Sequence, residues 1–151
     1  MTERPQFSSV TVHLICRDAA SAIDFYARAF GASEMMRLPD KQGKLMHAAI
    51  TLNGSTVMLM DEYLDYGARS PQAIGGTAVV IHLMVPDVDA AFDKAIAAGA
   101  TVVMPVGDMF WGDRYGQVED PFGHRWSMAT PVKHLTPEEI MENLRKMEQP
   151  A

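Results

Sequence analysis

Two histidines occupy the same place in two similar stretches of the sequence. His13 begins HLICRD and His82 begins HLMVPD, and in each copy the likeness continues to a glycine, Gly31 or Gly99. A neutral imidazole binds Zn, Fe, Ni or Co, and its pKa near neutrality also suits general acid–base chemistry. Three roles are therefore open for this pair: ligands of a metal ion, acid–base groups in a metal-free site, or hydrogen-bonded residues that line an apolar cavity.

A second group of candidate residues lies in FWGDRYGQVED, near the end of the chain. Trp111 and Tyr115 offer flat apolar surfaces, and the Arg114 guanidinium can hold a carboxylate or phosphate with two parallel hydrogen bonds. In the alternative interpretation, this stretch is a loop and strand held by an internal salt bridge in which Arg114 pairs with Asp113 or Glu119. Glu119 is also the one carboxylate here that we expect to reach the site, as a ligand or a base.

The elements around these residues form two copies of one supersecondary unit. A strand rich in β-branched residues, at 10–16 and again at 77–85, leads into an Asp suited to cap a helix, Asp18 or Asp87. A helix with apolar residues three and four apart follows, and then three more strand candidates separated by turns. A repeat of this length predicts tandem β-α-β-β-β modules.

We expect a single domain that spans residues 1–151. The first module covers about 8–60, a linker with Gly, Pro and Ser covers 61–76, and the second module covers about 77–131. A final helix at about 136–148 is marked by Thr-Pro-Glu-Glu, which supplies a cap, a Pro at the first helical position and a Glu three residues after the cap. Its apolar stripe packs either on its own domain or on a partner chain.

The composition limits the partners and the compartment. Of 151 residues, 48% are hydrophobic, the net charge is −6, and there is one cysteine, Cys16. The negative charge argues against a nucleic acid or an anionic membrane as partner, and no apolar run is long enough to span a bilayer. With no apolar signal region and no second cysteine for an internal disulfide, we expect a cytoplasmic protein.

The tandem units resemble the vicinal oxygen chelate superfamily, which includes glyoxalase I, bleomycin-resistance proteins, fosfomycin-resistance enzymes and extradiol dioxygenases. The resemblance covers roughly residues 8–131, and its most specific pieces are AIDFYARAFGA, DVDAAFDKAIAAGA and FWGDRYGQVEDPFGHRWSMAT. The last piece is similar to the glyoxalase-like branch often labelled demethylubiquinone methyltransferase. The resemblance implies an α+β fold whose curved mixed sheet forms a cup or half-barrel with the helices outside. It also implies a homodimer, with a possible exchange of modules across the linker.

The resemblance further implies where a divalent metal would bind. In the superfamily, His and Glu side chains on four strands hold the metal, which binds vicinal oxygens of the substrate. The corresponding positions here are Thr11, Met58, Val80 and Ser127, and none of them is a strong metal ligand. We therefore expect the usual metal site to be missing. A divalent metal cofactor stays open, with the paired histidines as weak candidate ligands.

Strand alternation selects the side chains that share the cup with these positions, because residues two apart lie on one face. His13 and His82 each lie two residues along a first strand from Thr11 or Val80, and with Glu119 they are the candidate catalytic residues. The twelve methionines fit either a flexible core or a soft ligand cavity. The candidate substrate-binding residues are His47, Met58, Met60, Trp111, Arg114, Tyr115 and Ser127.

These observations predict a glyoxalase-like protein that acts on or binds a small organic molecule in the cup formed by the two modules. As an enzyme it would have lyase, isomerase or dioxygenase-type activity, and it would need a metal or a reactive pair in the cup. The alternative is a non-catalytic protein that sequesters an antibiotic-type or aromatic ligand, which needs only shape, apolar lining and a few polar anchors. The retained histidines favour the enzyme, and the missing carboxylates favour the binding protein.

His124, which alternates with Trp126 and Met128, is predicted to be structural.

Overall fold

The fold contains two copies of the predicted module, described for residues 8–149 by a computed structural model. Each module is one helix and a four-stranded mixed sheet. In the first sheet the strand order is β1-β4-β3-β2, with β1 parallel to β4 and the other neighbours antiparallel. Its elements are β1 (His13–Cys16), α1 (Ala19–Phe30), β2 (Ser33–Pro39), β3 (Leu45–Leu52) and β4 (Ser55–Asp61).

The second module repeats this arrangement after a linker that holds a short 3-10 helix (Leu64–Tyr66) and the one-turn helix α2 (Pro71–Ile74). Its strand order is β5-β8-β7-β6, again with the first strand parallel to the last. The predicted α+β fold of two tandem modules with a final helix is thus confirmed. The elements of this module are β5 (Val80–Met84), α3 (Val88–Ala98), β6 (Thr101–Asp108), β7 (Asp113–Glu119) and β8 (Arg125–Pro131).

The first strand of each module begins later than its sequence predicts. The β-branched runs start at residues 10 and 77, whereas β1 starts at His13 and β5 at Val80. Both strands lie at the edge of their sheets, so a single partner determines how far the ladder extends. For β1 the ladder with β4 begins where His13 lies opposite Met58. Composition indicates that a strand forms, and its pairing partner sets the length.

The predicted helix caps are present. The Asp18 side chain accepts a hydrogen bond from the Ser21 backbone N–H, and the Asp87 side chain accepts one from Ala90. At the end of α1, Gly31 adopts a left-handed conformation with a φ of 70°, which residues with a Cβ rarely adopt. These caps determine where the helices begin, and therefore where the strand before each helix must end.

The two modules contact each other mainly through α1 and α3 and through a cluster of aromatic rings. Tyr26 and Phe30 of α1 pack on the indole of Trp126 in β8, with ring centroids 5.4 and 4.9 Å apart. Phe25 and Phe122 join the same cluster. Burial of several large rings at one point supplies much of the hydrophobic stabilisation between the modules.

A buried carboxylate organises this cluster. Asp120 accepts hydrogen bonds from the Tyr26 hydroxyl at 2.6 Å and from the Trp126 Nε1–H at 2.9 Å. Its other oxygen accepts from the backbone N–H groups of Phe122 and His124. Burial, and then the neighbouring Asp120 carboxylate, raise the pKa of Tyr26 well above its usual range. Four donors compensate for taking this carboxylate out of water.

The last helix, α4 (Pro137–Glu148), has the predicted capping box between Thr136 and Glu139. The structure describes every residue of α4, and none of their side chains is buried. One hydrogen bond ties it to the second module, from the Asn143 side-chain amide to the Phe110 carbonyl at 3.0 Å. Among the residues that the structure describes, no helix is both long enough and apolar enough to cross a membrane.

Candidate functional site

Each sheet has one face that packs on its module's helix and an opposite face, here called the open face. In β1 the side chains of Leu14 and Cys16 are buried in the core, whereas His13 is exposed. In β5 Leu83 is buried and His82 is exposed. Both histidines therefore lie on open faces, because side chains alternate along a strand.

In the first module, His13 and His47 lie near each other on the open face. Their ring centroids are 6.0 Å apart, with one ring edge directed at the other ring. His13 is opposite Met58 in the pairing of β1 with β4. The pairing of Ala48 with Leu59 puts His47 beside Met60. Partial burial, and then the neighbouring His47, lower the pKa of His13, which favours its neutral form. We call His13, His47, Met58 and Met60 the His13 group.

In the second module, His82 forms hydrogen bonds with both ring nitrogens. Its Nδ1 lies 2.7 Å from the Ser127 Oγ, and its Nε2 lies 3.2 Å from the Met84 sulfur. The Ser127 side chain is buried and sits directly opposite His82 in the pairing of β5 with β8. Ser127 therefore holds the imidazole in one orientation through a contact in the plane of the ring.

Aromatic rings from β7 and the preceding loop extend this arrangement. The Tyr115 ring stacks on His82, with centroids 5.9 Å apart and planes at 23°. The Trp111 ring meets Tyr115 edge to face at 5.4 Å. Gln117 donates a hydrogen bond to the Tyr115 hydroxyl at 2.8 Å. We call His82, Trp111, Tyr115, Gln117 and Ser127 the His82 group.

Gln117 is not among the residues predicted from the sequence, although its place in the strand indicated it. Gln117 lies two residues from Tyr115 and two from Glu119, so strand alternation places it on the same face as both. Its pairing with Ser127 brings it directly beside the His82 contact. A polar side chain between Tyr115 and Glu119 on the same face of the strand indicates that Gln117 belongs to the site.

Arg114 and Glu119 have partners other than those predicted. Arg114 donates to both carboxylate oxygens of Asp89 in α3, at 2.8 and 3.0 Å, and to Asp108 at 3.2 Å. These hydrogen bonds, Asp89 first, raise the pKa of Arg114. Because the side chain reaches toward α3, the structure does not bring Arg114 to the open face. Glu119 does lie on that face, opposite Arg125, with 3.6 Å between their charged atoms. Asp113 accepts a hydrogen bond from the Trp111 Nε1–H.

The two groups belong to separate modules. None of the hydrogen bonds or ring contacts described for His13, His47, His82 and Tyr115 within residues 8–149 joins one group to the other. A groove of about 220 Å³ lies between the modules, and its lining includes Thr11 and His82. His124 lies elsewhere, at the contact between the modules, where its Nε2 is 2.9 Å from the Ile15 carbonyl oxygen.

The donor set at the positions where the superfamily holds a divalent metal does not fit such an ion. Thr11 precedes β1, and its hydroxyl donates to the Ser8 carbonyl. Val80 has no donor atom, Met58 offers only a thioether, and Ser127 is engaged by His82. Within the described residues, no group of three or more His, Cys, Asp or Glu side chains could hold a metal ion. Thr11, Met58, Val80 and Ser127 therefore do not supply the nitrogen and carboxylate ligands that such an ion requires.

Comparison with known proteins identifies the family. Residues 8–128 match the glyoxalase/bleomycin resistance protein/dioxygenase superfamily. The uncharacterized protein Mb0911c of Mycobacterium bovis is 53% identical over 135 residues, which cover 87% of this chain and 89% of that protein. The crystal structure of TioX from Micromonospora sp. ML1 has a TM-score of 0.66 and 33% identity, covering 83% of this chain and 99% of that one.

A more distant structure shows the same fold. The fosfomycin resistance protein FosX from Listeria monocytogenes, solved with Mn(II) and sulfate, has a TM-score of 0.65 at 18% identity. The match covers 91% of this chain and 97% of that one. The resemblance read from the sequence is confirmed, and the chain belongs to the glyoxalase/bleomycin resistance protein/dioxygenase superfamily.

Proposed function

We propose that the protein binds a small, flat organic molecule on the open face of the second module, at the His82 group, without the divalent metal of its superfamily. The observation that carries this proposal is the continuous set of rings formed by His82, Tyr115 and Trp111. A preformed aromatic surface with polar atoms at its edges is the usual composition of a small-molecule site.

The surroundings of the His82 group support binding rather than a purely structural role. Val80 and Met84, which flank His82 on β5, are 42% and 47% exposed, so the apolar surface continues beyond the rings. The polar anchors are already oriented, since Ser127 holds His82 and Gln117 holds the Tyr115 hydroxyl. A ligand that stacks here gains apolar contact without having to order these side chains first.

The same proposal includes the expected partners and compartment. The protein would act in the cytoplasm as a homodimer, with a small molecule and neither nucleic acid nor membrane as ligand. The net charge of −6 supports the exclusion of nucleic acid. In a dimer, a module of the partner chain would cover the open face and complete the cup that the superfamily resemblance implies.

A second candidate function is a metal-free enzyme in which His82 acts as general base. The short contact between its Nδ1 and the Ser127 hydroxyl favours this candidate, because an oriented imidazole is what proton transfer requires. The two candidates differ in outcome. An enzyme converts its ligand in chelator-treated protein and loses turnover on His82→Ala, whereas a binding protein returns the ligand unchanged.

The test is titration with a panel of planar bicyclic compounds (indole, quinoline and naphthalene carboxylates), measured by calorimetry and by quenching of tryptophan fluorescence. Tyr115→Leu and Trp111→Leu should each weaken binding about tenfold, since one stacked ring contributes about 1–3 kcal/mol. Tyr66→Leu, which alters a ring that is 87% exposed in the linker, is the matched control. Equal affinity in wild type and both test variants would contradict the proposal.

A further inference from the structure

We propose that the His13 group, on the open face of the first module, binds a soft monovalent metal ion of the Cu(I) type. The ligands would be the imidazoles of His13 and His47 and the thioethers of Met58 and Met60. This site differs in position and ligands from the superfamily's divalent metal site, and it does not depend on the proposed function, because the His82 group belongs to the other module.

The sheet itself brings the four donors together. β4 lies between β1 and β3, so its two methionines separate the histidines of the outer strands. His13 is paired with Met58, and His47 lies beside Met60 because Ala48 pairs with Leu59. All four side chains therefore lie on one face of the sheet, in two adjacent rows.

The separation of the histidines suits a shared ion. Metal–nitrogen bonds of about 2.0–2.1 Å put the ring centroids of two imidazoles on one ion roughly 5–6 Å apart. The observed separation of 6.0 Å lies at the upper end of that range. A centroid separation at this end of the range corresponds to a wide nitrogen–metal–nitrogen angle. Such an angle is typical of ions with two or three ligands, which Cu(I) prefers, and Met58 or Met60 would supply the third ligand.

The chemistry of the donors selects the ion. Thioether sulfur selects soft ions such as Cu(I), and imidazole nitrogen binds copper among other transition metals, whereas Mg²⁺, Ca²⁺ and Mn²⁺ prefer carboxylate oxygens. The other residues in these rows are apolar: Ile15 lies opposite Met60, and Ala49 lies opposite Met58. Ala49 is also paired with Met36 of β2, so the thioether of Met36 lies nearby. The neighbouring carboxylate on β2, Glu34, is engaged in an ion pair with Arg37.

The site is open to an ion from solution yet partly shielded from water. His13 is exposed, while His47, Met58 and Met60 are half-buried. The pocket that includes Met46, Met60, Tyr63 and Tyr66 adjoins the group and has a volume of about 320 Å³. Partial removal from water strengthens soft ligation and leaves an entry path through His13.

The experiment is a calorimetric titration of the full-length protein with Ag(I), an air-stable analogue of Cu(I), repeated anaerobically with Cu(I) in competition with a chromophoric chelator. We expect one ion per chain. His13→Gln and His47→Gln should each weaken Ag(I) binding at least tenfold, as should the double substitution Met58→Leu with Met60→Leu. The matched controls are His134→Gln, at an exposed histidine after the last strand, and Met141→Leu on α4, and both should bind Ag(I) as wild type does.

Thermal melts of every variant establish that it is folded before its affinity is compared. Wild-type affinity in both histidine variants, or in the double methionine variant, overturns the proposal. So does an equal loss of binding in the His134→Gln control, or tighter binding of Zn(II) or Mn(II) than of Ag(I). Titrations of the aromatic panel on the same variants report separately on the His82 group, so failure of one proposal is distinguishable from failure of the other.

Discussion

At the scale of residues, the position of a histidine in the fold predicts whether its substitution weakens ligand binding or lowers stability. His124 bridges the modules through the Ile15 carbonyl, a contact between positions distant in the chain. We predict that His124→Ala lowers the free energy of unfolding by about 1–2 kcal/mol, because a partly buried carbonyl loses its partner. His13→Ala and His82→Ala, on open faces, should weaken binding of Ag(I) or of an aromatic ligand, respectively, by more than they weaken folding.

Thermal melts and titrations on these three variants decide the comparison. His13→Ala should remain within about 0.5 kcal/mol of wild type, as surface substitutions usually do. A large loss of stability in His13→Ala and His82→Ala without a change in binding would show that the repeated histidine serves only the fold.

The buried carboxylate at the contact between the modules gives a second residue-scale prediction. Tyr26→Phe removes one hydrogen bond to Asp120 and should lower the free energy of unfolding by about 1 kcal/mol. Asp120→Ala removes the acceptor of four donors and should cost roughly 3 kcal/mol or more, because buried donors are left without partners. Urea unfolding of both variants measures the difference, and equal losses would contradict this explanation of the network.

The sequence predicts which side chains share a face of a strand, but it does not predict which charged side chains form ion pairs. The exposed sides of β1 and β5 follow from alternation alone. In one of the two interpretations open for Arg114, it pairs with Asp113 or Glu119, yet its shortest ion pair is with Asp89 on α3. That carboxylate comes within reach only after α3 packs on the sheet, which no local pattern encodes.

At the scale of elements, caps and turns were predictable where the chain itself forms the contact. The capping box of α4, the Asp cap of α1 and the left-handed glycine after α1 depend on residues within one turn. A lone glycine inside a strand carries less information. Gly116 lies in the middle of β7, where an added Cβ would meet Val106 at 2.9 Å and Phe92 at 3.0 Å. It therefore permits α3 to approach the sheet closely, a tertiary requirement.

The final helix provides the prediction at this scale. Thr136→Ala removes the cap of α4 and should weaken that helix by about 1 kcal/mol. Because α4 has no buried side chain among the described residues, the melting temperature of the domain should stay the same. Hydrogen exchange should accelerate only at residues 137–148, and Lys146→Ala, at an exposed position of the same helix, is the control. A fall of several degrees in the melting temperature would mean that α4 contributes to stability by packing on its own domain or on a partner chain.

At the scale of the whole molecule, the arrangement of the modules depends on contacts between distant parts of the sequence. Tyr26 and Asp120 belong to different modules, and nothing in either local pattern indicates that they meet. The internal repeat predicts that two modules exist and that they are alike. The modules contact each other through α1 and α3, which neither local pattern indicates.

The exposed surface of the chain supports the last prediction, a homodimer. In the second module, Val80 and Met84 on β5 are 42% and 47% exposed, and Met104 on β6 is 39% exposed. Large apolar side chains exposed together on one sheet are typical of a surface that another protein chain covers. We expect sedimentation velocity to show a dimer at micromolar concentration. If a partner module completes the His82 group, affinity for the aromatic panel should fall when the protein is diluted below its dimer dissociation constant. A monomer at all concentrations with unchanged affinity would show that one module's open face is the whole site.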